Sequence, residues 1–183
     1  IGNDGLTGFR VQTGSIVVQG AGLDASSSDY THLIARAVEV NAGIWAQDLR
    51  INTGTAEVSA DASQAHPLPA PRPAPAFALD VAALGGMYAN KITLVGSETG
   101  LGMRNAGHLG ASAGNVVVTV DGLLENSGRI TASADVQAST NGGISNSGSV
   151  YALGNTSLTT RGDLLNTSLL AARNALALSA TGA

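Results

Sequence analysis

Four glycines, Gly122, Gly142, Gly162 and Gly182, recur every 20 residues, and the residues between them repeat in step. Leu124, Ile144 and Leu164 form one column, Asn126, Asn146 and Asn166 a second, Ile130, Val150 and Leu170 a third, and Ala132, Ala152 and Ala172 a fourth. Two looser columns follow, Val136/Thr156/Leu176 and Ala138/Leu158/Leu178. A fixed period of this size marks a solenoid, in which one repeat cannot bury its apolar face alone and must stack on its neighbours.

The step inside the repeat separates strand from helix. Leu124, Asn126, Gly128, Ile130 and Ala132 place apolar or small residues at every second position, the period of a strand with one buried face, whereas a helical repeat would step by three and four. Gly, Asn and Ser punctuate the short runs and supply turns. The expected fold is all-β, a β-helix of about 20–22 residues per coil, with coils about 4.8 Å apart. In that lattice the asparagine column faces inward, and each amide can hydrogen-bond to those above and below.

Composition agrees with a lattice rather than an ordinary globular core. Charged residues make up 12% and aromatics 3%, against 24 glycines in 183 residues, so the interior must be built from small and aliphatic side chains. The chain has no cysteine, which removes disulfides and thiolate metal sites. Lys91 is its single lysine and the net charge is -4, a balance that argues against a nucleic-acid partner or an anionic membrane surface. No apolar run approaches the length of a membrane span, so no membrane insertion is expected. The chain starts at Ile1 and stops at Ala183 in the middle of a repeat; it is expected to be a piece of something longer.

Taken in order, Thr7 to Ala25 alternate through Phe9, Val11 and Ile16 to Val18 and read as short strands on a coil. An apolar-x-Ala signature appears at Leu23-Asp24-Ala25 and again 21 residues on at Ile44-Trp45-Ala46. Between them a strand is expected from Leu33 to Val40. The next signature, Met87-Tyr88-Ala89, lies 43 residues after Ala46, about two coils. That gap holds all five prolines, Pro67, Pro69, Pro71, Pro73 and Pro75. Proline cannot donate to a sheet ladder and favours polyproline II, so this segment should leave the wall as an exposed loop. The expected organisation is one continuous solenoid: 1–60 opening coils, 61–78 the inserted loop, and 79–183 continuing coils that settle into the 20-residue repeat.

Three blocks carry a family resemblance: Gly20-Ala21-Gly22-Leu23-Asp24-Ala25, Leu33-Ile34-Ala35-Arg36-Ala37-Val38-Glu39-Val40-Asn41-Ala42-Gly43, and Leu84-Gly85-Gly86-Met87-Tyr88-Ala89-Asn90-Lys91-Ile92. In this order they resemble the filamentous-haemagglutinin-type exoproteins of two-partner secretion (TPS), a family of large adhesins and stalks of contact-dependent growth inhibition. The resemblance implies a right-handed parallel β-helix, export through a dedicated outer-membrane transporter, and display at or release from a Gram-negative cell surface. The family's N-terminal secretion domain also carries Asn-Pro motifs, and this sequence has no Asn-Pro pair, so the resemblance implies that 1–60 is the later part of a secretion-domain-like β-helix that runs on into the following repeats.

Candidate sites are few. Arg161-Gly162-Asp163 spells the tripeptide read by integrins, but Gly162 is also the turn glycine of the repeat, and the match is expected to be incidental. His32, His66 and His108 are scattered without metal-ligand spacing. The acids Asp24, Asp29, Asp121 and Glu125 form no clustered face. No cofactor, metal or reaction is therefore expected. The proline segment is a tolerated insertion or, functionally, a preformed extended ligand for a partner groove. The expected function is a structural segment of a secreted, surface-displayed exoprotein, serving adhesion or presenting a distal effector. Its expected partners are the outer-membrane transporter during export and a host or bacterial cell-surface receptor. The alternatives are a carbohydrate-binding or carbohydrate-cleaving β-helix and a docking module for the transporter.

Overall fold

A computed structural model describes residues 5–182. The chain winds into a parallel β-helix with three faces. The first face stacks seven strands in chain order: Ser15–Val18, Ala37–Val40, Leu79–Val81, Met103–Asn105, Leu124–Asn126, Ile144–Asn146 and Leu164–Asn166. The second and third faces are fused in the first coils, because Leu23–Ala35 and Gly43–Thr53 are long strands that run round the corner between them. Beyond these the second face continues through Gly86–Ala89, His108–Ala111, Arg129–Ala132, Ser149–Ala152 and Leu169–Ala172. The third continues through Lys91–Gly96, Val116–Val120, Val136–Thr140, Thr156–Thr160 and Leu176–Ala180.

The period-two pattern becomes the core directly. Leu124, Asn126, Ile130, Ala132, Val136, Ala138 and Thr140 of one coil all point inward. They stand in register under Ile144, Asn146, Val150, Ala152, Thr156, Leu158 and Thr160 of the next. The six columns read from the sequence are thus six stacks of side chains. Burying one Val or Leu in such a stack is worth about 1.5–3 kcal/mol. The corner between the first and second faces has no room for side chains: a Cβ on Gly107, Gly128 or Gly148 would fall on the carbonyl of the glycine one coil earlier.

Two local expectations are corrected. Gly8–Val11 is not a coil strand; it pairs antiparallel with Ala56–Ser59, which pairs antiparallel with Ala65–Pro67. This three-stranded sheet has its own small core of Ala56, Val58 and Ala62 against Ile34 and Ala65. Alternation at Phe9 and Val11 serves a strand in either kind of sheet, so the period alone could not choose between them. The region from Leu33 to Val40 is strand on both sides of Arg36 and is broken at that residue, where the chain turns from the third face to the first.

Candidate functional site

The asparagine column is a hydrogen-bonded ladder. Asn126 Nδ2 donates to Asn146 Oδ1 at 2.6 Å, and Asn146 Nδ2 to Asn166 Oδ1 at 2.7 Å. Asn105 extends it one coil earlier, its Nδ2 donating to Asn126 Oδ1 at 2.8 Å. The strict period missed Asn105 because it stands 21 residues before Asn126 rather than 20. The ladder has a direction. At its head the Asn105 Oδ1 is buried without a partner, since Val81 lies below it in register. Asn166 Nδ2 in turn donates to the Ser168 carbonyl at 2.8 Å. Because each amide satisfies its neighbour, the column fixes axial register, and a slipped coil would leave buried amides unpaired.

The proline segment leaves the wall at Gly54, whose φ of 97° suits glycine, and rejoins the first face at Leu79. Pro67, Pro69, Pro71 and Pro73 are exposed and Pro75 is half-buried. The segment is nevertheless tied down at several points, more than a loop of this composition requires. Pro67 closes a strand opposite Ala56. Leu68 N–H donates to the Thr55 carbonyl, and Thr55 Oγ1 to the Leu68 carbonyl, both at 2.8 Å. The strongest anchor is Arg36. Its Nε and Nη2 donate to the two Glu98 carboxylate oxygens at 3.0 and 2.8 Å. Its Nη1 and Nη2 also donate to the carbonyls of Pro73 and Pro71, at 3.2 and 2.6 Å. Both charged side chains are almost fully buried. Such a pair adds little net stability but strongly penalises loss of either partner. No sequence motif signals it, since its members lie 62 residues apart.

The remaining candidates are dispersed. Arg161, Gly162 and Asp163 form the turn from the third face to the first. Arg161 and Asp163 are exposed, and a Cβ on Gly162 would press on the backbone of Gly142 and Gly143. His66 is exposed on the antiparallel sheet, far in sequence from its nearest histidine. His32 lies beside Tyr30, ring centroids 4.9 Å apart. His108 Nε2 is 3.0 Å from Thr131 Oγ1. Burial, followed by the charge of Arg50 for His32 and of Arg129 for His108, holds both imidazoles below their ordinary value. Asp61 is held at about 2 by the Ser59 hydroxyl and then by the Ser63 N–H and hydroxyl. Among the described residues no three His, Cys, Asp or Glu side chains gather as a metal site. No helix there is long and apolar enough to cross a membrane.

A three-faced parallel β-helix with a small antiparallel sheet beside its first coils defines the class: a parallel β-solenoid. The crystal structure of a filamentous hemagglutinin secretion domain matches with a TM-score of 0.62 over 93% of this chain and 54% of that one, at 21% identity, a likeness of fold. The family follows from sequence. The model of the TPS secretion domain matches residues 1–126, and this chain belongs to that family. The match runs past the proline segment to the second rung of the asparagine ladder. Toxin CdiA of Yersinia pestis is 51% identical over 134 residues, 73% of this chain and 4% of that protein. The tRNA nuclease CdiA-2 of Burkholderia pseudomallei (strain 1026b) is 43% identical over 133 residues, 72% of this chain and again 4% of the relative. The resemblance read from the three sequence blocks is borne out. The chain is a segment of a secreted two-partner-secretion exoprotein of the Gram-negative type. The two alternatives, a carbohydrate-binding or carbohydrate-cleaving β-helix and a docking module for the transporter, are not favoured as the role of the whole chain. The nuclease names belong to relatives of which this chain spans about one twenty-fifth of the length, and the matched stretch is their secretion domain.

Proposed function

We propose that this segment engages the outer-membrane transporter during export, folds as it emerges, and starts a stalk that displays a distal adhesive or toxic domain at the cell surface. One observation carries the reading: each coil from Gly122 onward offers the next the same template. Leu124, Ile144 and Leu164 stand in register, as do Ile130, Val150 and Leu170, and Asn126 donates to Asn146 as Asn146 does to Asn166. Each coil laid on the one before buries its aliphatic side chains at a gain of about 1.5–3 kcal/mol per side chain. Sequential stacking releases free energy on the outer side of the membrane and so opposes backsliding of a chain threaded unfolded. No reaction is proposed for the segment, and a host or bacterial receptor would be met by the displayed end.

The test is secretion of the chain, behind a signal peptide, from cells with and without the cognate transporter. Transporter-dependent appearance of folded protein in the medium is expected. Retention in the periplasm despite the transporter would overturn the export role.

A further inference from the structure

The chain has six aromatic residues of the Phe, Trp and Tyr types. Three of them, Trp45, Tyr88 and Tyr151, lie in one outward column of the second face, linked in register through Gly110 and Thr131. All three are exposed, at 42%, 39% and 38%. Trp45 and Tyr88, on successive coils, have ring centroids 6.2 Å apart and planes 19° from parallel. Their rings lie down on the sheet. The residue two before each is glycine, Gly43 and Gly86, and a Cβ on either would run into the ring. His108 meets Tyr88 edge-on at 5.4 Å and is itself held by Thr131, so the tyrosine is buttressed from the next coil.

A polar column runs beside the aromatic one. Ser112 Oγ donates to Asn90 Oδ1 at 3.0 Å, Asn90 Nδ2 to Gln47 Oε1 at 3.1 Å, and Gln47 Nε2 to the Ser26 carbonyl at 3.1 Å. Floor and rim enclose an open cleft of about 400 Å³ that includes Ser26, Trp45, Tyr88, Asn90, Ser112 and Thr131, and its lining holds no carboxylate, amine, guanidinium or imidazole.

We propose that this ledge binds a neutral glycan, specifically an extended chain of equatorially linked hexopyranoses lying along the solenoid axis. The flat exposed rings match the apolar C–H face of a pyranose, while the amide and hydroxyl rim matches its hydroxyl edge. The cleft holds no positive charge, and Asp24, the register partner of Trp45 one coil earlier and bonded to Ser26, puts a negative one at its end, which selects against anionic polymers. An extended peptide is disfavoured because the main-chain groups of this face are already consumed by pairing between coils, leaving no edge for strand addition. The rise of about 4.8 Å per coil is close to the advance per sugar of such a chain, so successive sugars meet successive coils. Tyr151, three coils beyond Tyr88, provides a more distant stacking point. Asp24 at the end of the cleft has no second carboxylate across from it in the lining, and glycoside hydrolysis needs a pair, so the site binds and does not hydrolyse. This is a surface property of the secreted segment, additional to its part in export and independent of the domain that the stalk displays.

Trp45 is the single tryptophan, so intrinsic fluorescence reads this site alone. The 183-residue chain would be titrated with cellohexaose, with chitohexaose, and with heparin as an anionic comparison. A saturable change in emission with a neutral hexaose, unaffected by salt, is expected. Tyr88→Leu should weaken binding about tenfold, Tyr88→Phe should retain it, and Tyr30→Ala, an exposed tyrosine off the column, should leave it unchanged. Gly43→Ala, which lifts the indole, should weaken it with the β signal in circular dichroism intact. The proposal is overturned by any of three results: no saturable response to either hexaose at millimolar concentration, equal affinity in folded Tyr88→Leu, or binding confined to heparin and abolished by salt.

Discussion

The coils from Gly122 onward and those up to Asn105 share one architecture but are held together differently. In the later coils each residue meets its own counterpart one repeat away: Asn on Asn, Thr140 on Thr160 at 2.8 Å, and a glycine corner on a glycine corner. Any coil there can in principle replace another. In the earlier coils the contacts are singular. Arg36 reaches Glu98 and two proline carbonyls, and Arg104 grips Asp80 at 2.6 and 2.9 Å while stacking on Phe77, 4.8 Å from its ring centroid. These bonds secure the points where the proline segment departs and returns. Repetition lets a solenoid grow, whereas a one-time insertion must be fixed by contacts that occur once.

The most damaging way to break the comparison is to violate the repeat. Deleting Gly142 to Arg161 removes one coil of 20 residues and sets Gly162 where Gly142 stood, leaving every column continuous. Deleting Gly142 to Tyr151 removes half a coil and places Asn126 against a residue from the wrong side. The first variant is expected to melt cooperatively with full β signal and to be exported; the second is expected not to fold. Equal behaviour in thermal melts would end the claim that these coils are interchangeable.

Next in size is the buried ion pair. Glu98→Ala strands the Arg36 charge and should cost about 3–5 kcal/mol, with protease cleavage moving to the segment between Pro67 and Pro75. Replacing both partners, Arg36→Met with Glu98→Leu, should recover much of the loss because no lone charge is left buried. A double variant no better than the single one would mean that the proline carbonyls, rather than the pair, hold the strap.

Within the ladder, Asn146→Leu should cost about 1–3 kcal/mol, because it removes the acceptor of Asn126 and the donor to Asn166. Ser145→Leu, on the same strand but facing outward between Ile144 and Asn146, should scarcely move the denaturation midpoint. Matching losses at the two positions would show that burial does not set the strength of the column.

The smallest effect is acid sensitivity at His108. Its folded value is lowered from 6.5 by burial and then by Arg129, while Tyr88 and Thr131 face it without charge. The unfolded chain therefore takes up this proton at higher pH than the folded one. The stability tied to the neutral ring is complete above 6.5 and is lost as pH falls through the lowered value. The fall in melting temperature from about pH 7.5 to about 5.5, the range in which histidine titrates, should be shallower in His108→Gln than in the parent. Parallel curves would remove His108 from the account.

What was legible in the residues was everything that repeats. Gly122 to Gly182 revealed period, strand geometry and the inward asparagine column, because a lattice writes the same local requirement once per coil. Three local blocks were enough to indicate the family, and the proline-rich segment announced that it would leave the wall. The sequence by itself therefore determined the class of fold and the polarity of each position around the coil. Only the tertiary structure decided that Gly8–Val11 pairs antiparallel with Ala56–Ser59, that Arg36 closes on Glu98, and that Trp45 and Tyr88 lie side by side on one face. The reason is physical. Alternation specifies which side of a strand is buried but not which strand it meets, and contacts between residues 43 or 62 positions apart depend on how many coils intervene and where an insertion leaves them, which no local pattern encodes.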